Sequence, residues 1–568
     1  MTPDDTEPDR PAGTAAPEGA PDGQPSPIED DAPVDTASSF VRDTAVMSVG
    51  TTLSRVTGFL RLAAMAWALG ITESRLPDAY NIANITPNIV YELVLGGILT
   101  SVVVPVFVQW LELHGREQAW DVARRLLSFA LVALSAVAIV CILFAPQIVD
   151  LYTSGATGGR AHERALATFF LRWFMPQIVF YGIGAICTGL LNAHRRFAVP
   201  MFAPILNNVI VIATFVAFRL MGGLAADGTA SSAERLVLAI GTTAGVIGMT
   251  VALIPALRSL GFRYAWRGGW RHDAVRRIAS LAKWVVVYVA ANQIGYLVVI
   301  VLANRVRGWY TTYASAFILF QLPHAIFAVS IFTALLPAMS GLWAAGDVDG
   351  FRTRLAQGIR ATSAIVIPAA FGYLVLARPI VRLLLEHGVT ERHSIDLVSD
   401  TLVAFSLGLF FFSAFQLLLR AYYSMQDTRT PALVNIAAMV VNVVADLVFF
   451  FAFDLGVQGL ALGHATSYLF GSLVLLALIR RRVGGLGARE LLGPIGRTVL
   501  AGVLTAAASW LVARGLAEVL GTATLLEQAL QVISAVAVGV AVYLLAASVL
   551  RIDEVTMVRR QLLARFGR

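Results

Sequence analysis

From about residue 44 to about residue 550 the chain is a succession of apolar segments separated by short polar loops. Each segment is about 20 residues or longer, the length that carries an α-helix across the hydrocarbon of a bilayer. Helices satisfy their own backbone hydrogen bonds where water is absent, so such segments have few other ways to fold. We count fourteen, at about 44–70, 78–108, 122–149, 164–191, 200–221, 234–257, 277–303, 312–342, 353–377, 396–420, 431–453, 456–479, 493–514 and 525–550. Composition excludes the soluble alternative. Hydrophobic residues make up 57%, charged residues 14%, and the mean hydropathy is +0.72, whereas soluble domains are about half apolar and a quarter charged. The expected fold class is an all-α integral membrane protein with about fourteen transmembrane helices.

The net charge of +7 conceals an asymmetry: residues 1–37 hold ten acidic residues and one basic, which leaves +16 for the remainder. This Pro-, Ala-, Gly- and acid-rich tail has too little apolar surface to fold and is expected to be disordered. It lacks the basic start and apolar centre of a signal peptide. Arginines gather in the even-numbered loops and the C-terminal end, at Arg195, Arg196, Arg258, Arg263, Arg267, Arg271, Arg276, Arg277, Arg352, Arg354, Arg480, Arg481, Arg482, Arg559 and Arg560. The odd-numbered loops are poorer, with Arg305, Arg307, Arg378, Arg382 and Arg392 as exceptions; positive loops stay cytoplasmic, so both termini are expected there. Cys141 and Cys187 both lie in apolar runs and suggest neither a disulfide framework nor a metal motif. Nothing points to nucleic acid.

A repeat is visible. ILTSVVVP, ending at Pro105, resembles IFTALLP, ending at Pro337, and Pro204-Ile-Leu-Asn-Asn208 resembles Pro431-Ala-Leu-Val-Asn435. The offsets, 232 and 227, agree. The expected domains are a disordered acidic tail (1–37), two pseudo-symmetric six-helix lobes (38–258 and 259–482), two extra helices (483–551) and a basic tail (552–568). Transporters built from such repeats bind substrate between them, near mid-membrane.

Polar residues are scarce in the apolar segments and therefore informative. Arg55 and Arg61 lie in the first, with Ser54 one heptad from Arg61. The second carries Asp78, Asn81, Asn84, Asn88 and Glu92, whose steps of 3, 3, 4 and 4 place all five on one helical face. Charges at bilayer depth face a partner or a water-filled cavity. A snorkelling arginine or an interhelical asparagine bond explains any one of these residues singly; the constellation describes the wall of a polar chamber. Gln321 and His324 in helix 8 are further candidates for contact with a polar ligand. Asn442 and Asp446, four apart, offer oxygen ligands for a sodium ion, with Asn292 and Thr466 as candidate partners. Interhelical hydrogen bonding, or a proton on Asp446, reads the same pair differently.

The motifs Ser54-Arg55, Gly58-Phe59, Arg61, Asp78-Ala79-Tyr80, Pro87-Asn88 and Val104-Pro105 resemble the MurJ (MviN) family of lipid II flippases. That family lies within the multidrug/oligosaccharidyl-lipid/polysaccharide exporter superfamily. Leu191-Asn192, Arg196-Phe197, Ala203-Pro204, Gln321-Leu322-Pro323, Ala421-Tyr422-Tyr423-Ser424 and Asp427-Thr428 extend the likeness over about residues 40–550. The resemblance implies a multi-pass protein of the bacterial cytoplasmic membrane. It implies two helical bundles around a cationic cavity, with the last two helices lining a groove for a lipid tail. It implies that lipid II, undecaprenyl diphosphate carrying the peptidoglycan disaccharide-peptide, is moved from the inner to the outer leaflet by alternating access. A pyrophosphate favours guanidinium donors, which Arg55 and Arg61 supply.

The chain departs from the family pattern at Leu62, at Tyr91 and Glu92, at Leu95-Gly96-Gly97 and at Phe317-Ile318, where the family often carries charge. Those departures leave open another polyprenyl-linked glycan or amphipathic substrate. They also leave open a non-transporting scaffold of cell-wall synthesis that docks partner proteins through the acidic tail. An enzyme is not expected: no paired carboxylates, zinc spacing or phosphate loop is present. No cofactor is expected beyond a coupling sodium ion or proton.

Overall fold

The computed structural model describes residues 36–92, 104–154, 160–194, 196–225, 227–268, 292–552 and 554. Residues 1–45 and 46–568 separate as two compact units, and the helical bundle is the second. The expectations for the acidic tail, for residues 95–97, for the basic positions 271–277 and for the basic tail beyond 554 lie outside the described residues. So does the side chain of Glu92.

The elements are helical throughout the described residues. In order they are α1 (Thr36–Leu69), α2 (Leu76–Glu92), α3 (Val104–Leu143), α4 (Ala145–Tyr152), α5 (Arg160–Phe174), α6 (Gln177–Ala193), α7 (Ala198–Leu220), α8 (Ser232–Val251) and α9 (Ile254–Ser259). There follow α10 (Asn292–Ala303), α11 (Trp309–Pro323), α12 (Val329–Ala344), α13 (Val348–Leu385), α14 (Arg392–Ser406), α15 (Leu409–Ser424), α16 (Arg429–Leu447), α17 (Gly456–Arg482), α18 (Ala488–Leu520) and α19 (Leu525–Val549). Short π-helical turns at His324–Ala328 and Val448–Ala452 join α11 to α12 and extend α16.

Ten of these helices or continuous helical runs are long and apolar enough to cross a membrane, and α14 with α15, bent by 49°, make an eleventh if taken as one span. The chain is therefore a multi-pass membrane protein. The full fourteen are not reached among the described residues. The second expected span is described as α2 and again from Val104, the seventh only from Asn292, and the first belongs to α1. The helix from Val104 breaks at Gly115, whose φ of 77° needs a residue without Cβ.

Similar packing pairs recur along the chain. α7 pairs with α8 as α16 pairs with α17; α2 lies on α5 as α11 lies on α14; α6 meets α8 as α15 meets α17. Close approach depends on small residues, as expected where lipid removes the hydrophobic drive between helices. A Cβ on Gly241 would stand 2.1 Å from Thr214 Oγ1, and one on Gly463 would stand 1.9 Å from Asp446 Oδ1. The last two helices stand against α13. There Gly502 meets Phe371, and Ser509 on α18 donates to Ala535 O on α19 at 3.0 Å. Large apolar side chains such as Leu511, Ile533 and Leu545 point outward, an arrangement suited to lipid rather than water.

Candidate functional site

The α1–α2 turn sits at the centre of a polar seam. Gly70 closes α1 with φ +76°, and Ser74 Oγ accepts from Leu76 N at 3.2 Å, capping α2 ahead of Pro77. Glu73 folds back to accept from Ile71 N (2.5 Å) and Thr72 N (2.9 Å) through Oε2. Its other oxygen takes Glu391 N and the Ser394 hydroxyl, each at 2.7 Å. Thr72 and Ser394 share a hydroxyl contact of 2.6 Å, and Thr390 Oγ1 donates to Ala66 O at 2.8 Å. The turn between the first two helices is thus bound to the turn before α14.

Asp78 belongs to this seam and not to a chamber wall. It is fully buried and accepts from Gly308 N at 2.5 Å, Thr311 N at 3.0 Å and Thr311 Oγ1 at 2.7 Å. The carboxylate therefore caps α11 and ties α2 to it. Gly308 supplies the left-handed φ of 82° that turns its N–H toward Asp78. The spacing places Asp78 and Asn88 on one helical face, but the first turn of α2 meets α11 before the cavity begins.

Below the seam lies a cavity of about 510 Å³. Arg61 of α1 and Asn81, Asn84 and Asn88 of α2 line one side. Gln321, Phe317 and Tyr313 of α11, Asn435 and Asn442 of α16, His464, Ser467 and Tyr468 of α17, and Asn292 and Tyr296 of α10 complete it. Asn81 Nδ2 donates to Thr311 Oγ1 at 3.2 Å, and Asn435 Nδ2 donates to Asn292 Oδ1 at 2.9 Å. Tyr296 and Tyr310 share a hydroxyl contact of 3.2 Å. The wall is rich in carboxamides and phenols, which exchange hydrogen bonds with neutral polar ligands. Arg61 adds guanidinium donors for an anion.

The structure therefore brings Arg61, Asn81, Asn84, Asn88, Gln321 and Asn442 together. It leaves others apart. Arg55 is exposed and not part of the wall; it lies six residues, about 9 Å of helix, from Arg61. Ser54 is a helix tie: its carbonyl accepts from Asn208 Nδ2 at 3.3 Å, and the same amide donates to Thr57 Oγ1 at 3.0 Å. Asn208, of the repeated Pro-Ile-Leu-Asn-Asn motif, thereby sets how α1 lies on α7. His324 is structural: its Nδ1 meets Ser413 Oγ at 3.0 Å, and its ring lies 4.5 Å from Phe412. Asp446 is fully buried outside the wall; its Oδ1 accepts from Asn442 Nδ2 at 3.2 Å, while Oδ2 has no partner among the described residues. Thr466 donates to Leu462 O and is not a wall residue.

The lipid II flippase MurJ family matches residues 65–550. The chain belongs to that family. Among its relatives, the probable lipid II flippase MurJ of Rhizobium meliloti (strain 1021) is 28% identical over 526 residues, 92% of this chain and 96% of the relative. The lipid II flippase MurJ of Burkholderia cenocepacia is 27% identical over 436 residues, 76% and 82% of the two chains. A solved lipid II flippase MurJ in an inward closed conformation superposes with a TM-score of 0.71 at 22% identity, covering 89% of this chain and 98% of that one. An inward-facing multidrug transporter of the MATE family superposes at 0.63 and 15% identity, over 77% and 98%. The family is one of transporters, and the chain is not expected to catalyse a covalent reaction.

Sequence reasoning did not find His464, Tyr296, Tyr310, Tyr313 or Tyr468 as wall residues. Aromatic side chains inside apolar helices carry no polarity signal of their own. Asn435 entered the sequence reading only through the repeat motif it shares with Asn208, not as a wall residue.

Proposed function

We propose that this chain moves lipid II from the inner to the outer leaflet of the cytoplasmic membrane by alternating access. The observation that carries the reading is the cavity of about 510 Å³ walled by Arg61 and a set of amides, inside a chain of this family. A glycan headgroup crossing hydrocarbon unaided would lose the hydrogen bonds of its hydroxyls. Asn81, Asn84, Asn88 and Gln321 replace those bonds, and Arg61 engages the pyrophosphate. Movement of the two halves then requires the Glu73 and Asp78 seam to part on the side toward which the headgroup leaves. The termini lie in the cytoplasm in this scheme, in keeping with the arginine-rich even loops. The outward apolar flanks of α18 and α19 give the polyprenyl tail a lipid-like path. Tail residues 1–37 would dock cell-wall synthesis proteins.

Asp446 and Asn442 are the residues that would hold a coupling cation, sodium or a proton. The fit rests on Asp446 Oδ2, which is buried without a hydrogen-bond partner among the described residues, and on Asn442, whose amide donates to Asp446 Oδ1. Hard cations take such oxygen donors. A bound cation supplies the charge that neutralises the carboxylate. Sodium and proton coupling separate by titrating transport with sodium at fixed pH, intact and in Asp446→Asn.

One observation favours a second substrate, another polyprenyl-linked glycan: among the described residues the wall holds a single guanidinium, Arg61. The deciding experiment replaces a bacterium's own lipid II flippase with this chain, intact or as Arg61→Ala at matched membrane level. Growth and outward-facing lipid II are both read. Rescue by the intact chain and loss in Arg61→Ala are the expected result. No rescue by well-expressed intact chain refutes the lipid II reading, and equal rescue by both refutes the role of Arg61.

A further inference from the structure

Away from Arg61, the described cavity wall carries no guanidinium. There α17 presents His464, Ser467 and Tyr468, spaced i, i+3 and i+4 on one helical face. The His464 ring is boxed by Tyr468 at 4.7 Å, Phe317 at 5.2 Å, Phe405 at 5.5 Å and Phe320 at 6.1 Å. These rings fix the plane of the imidazole. Yet Nε2 is buried without a partner, and no hydrogen bond to the imidazole occurs among the described residues. On α2 the Asn84 Oδ1 is likewise buried and unpaired among the described residues.

Buried polar groups are nearly always paired, and leaving one unpaired is unfavourable. If His464 served packing alone, a phenylalanine would fill the box without burying an unpaired nitrogen. Two such groups on different helices of one cavity fit a ligand that completes their bonds. Their chemistry selects the ligand. An imidazole and a carboxamide both offer nitrogen donors, and each can also accept, which suits hydroxyl and acetamido groups. A phosphate presents acceptors only and is better matched by Arg61.

We propose that His464, with Asn84 of the same cavity wall, is a specificity-determining contact for the sugar portion of the headgroup, a hydroxyl- and amide-bearing hexose. Arg61 takes the phosphate. The inference rests on the flippase reading and adds a division of the cavity into a phosphate side and a glycan side. A site built to hydrogen-bond a substrate group discriminates strongly against ligands that lack it.

The test uses the full-length protein in lipid nanodiscs and two ligands, polyprenyl diphosphate with and without its disaccharide-peptide. Affinities are measured for the intact chain, His464→Phe, His464→Gln and Arg61→Gln, each with its thermal midpoint. His464→Phe, which keeps the ring packing, is expected to weaken the sugar-bearing lipid about tenfold or more and to leave the bare diphosphate unchanged. His464→Gln recovers part of the loss, and Arg61→Gln weakens both ligands. A His464→Phe variant that loses neither ligand, or both equally, overturns the assignment. Intact protein that binds both lipids with one affinity overturns the glycan side alone; intact protein that binds neither refutes the flippase reading and this subsite with it.

Discussion

Asp78→Ala tests the seam most directly. The substitution leaves Gly308 N and Thr311 N without an acceptor, and Thr311 Oγ1 keeps only its contact with Asn81. Each orphaned buried donor costs about 1–3 kcal/mol. Two backbone donors, partly rescued by water entering at the turn, give a loss of about 3 kcal/mol. If the seam parts during transport, that loss falls on the closed arrangement and shifts the opening equilibrium by about 100-fold. Thr312 is a suitable reporter: it is fully buried in the first turn of α11, and its hydroxyl has no partner among the described residues. In a chain with Cys141 and Cys187 replaced by alanine, Thr312→Cys would be labelled with a membrane-impermeant maleimide. The rate in Asp78→Ala is expected to rise toward 100-fold above that with Asp78 intact. Equal labelling rates together with equal thermal midpoints would refute the reasoning, because the carboxylate would then hold nothing together.

Gly463→Ala places a Cβ against Asp446 Oδ1 and 3.0 Å from the Asp446 backbone nitrogen. Overpacking of this kind costs about 1–3 kcal/mol or more, and the thermal midpoint in detergent should fall accordingly. Asn208→Ala removes the two bonds that set α1 on α7. A loss of about 1 kcal/mol is expected, since interhelical bonds in membranes are modest, with transport falling more than stability because Arg61 rides on α1. Asp427 gives the pH dependence. Burial pushes its carboxyl up, but the Thr430 amide and hydroxyl and the Arg482 guanidinium outweigh it and hold the group below the ordinary carboxylate value. A depressed folded value means that the stabilisation is complete above the unfolded carboxylate pKa and is lost as pH falls through the folded one. Thermal midpoints measured from pH 6 down to pH 3 should therefore fall less steeply for Asp427→Asn than for the intact chain.

Much of the molecule was legible from residue order alone, and the reasons differ by element. The membrane-spanning helices follow from apolar length, because a segment in hydrocarbon has no other way to satisfy its backbone. Arg61, Asn81, Asn84 and Asn88 were legible as wall residues because polar groups are too unfavourable in lipid to be there without cause. Asp78, Ser54 and Arg55 met the same criterion and yet stand elsewhere. Asp78 caps α11 some 230 residues away, Ser54 is tied through its carbonyl, and Arg55 lies exposed beyond the wall. A helical face is defined by periodicity, but what each turn of that face meets depends on which helix arrives opposite it.

The sequence by itself therefore determined the class, the multi-pass character and the family, all of which depend on local apolar length, spacing and motif. Only the tertiary structure decided that Asp78 and Glu73 form a seam, that Asn208 orients the arginine helix, and that His464 stands unpaired among aromatic rings on the cavity wall. These facts depend on contacts between residues far apart in the chain, and no local pattern encodes the partner.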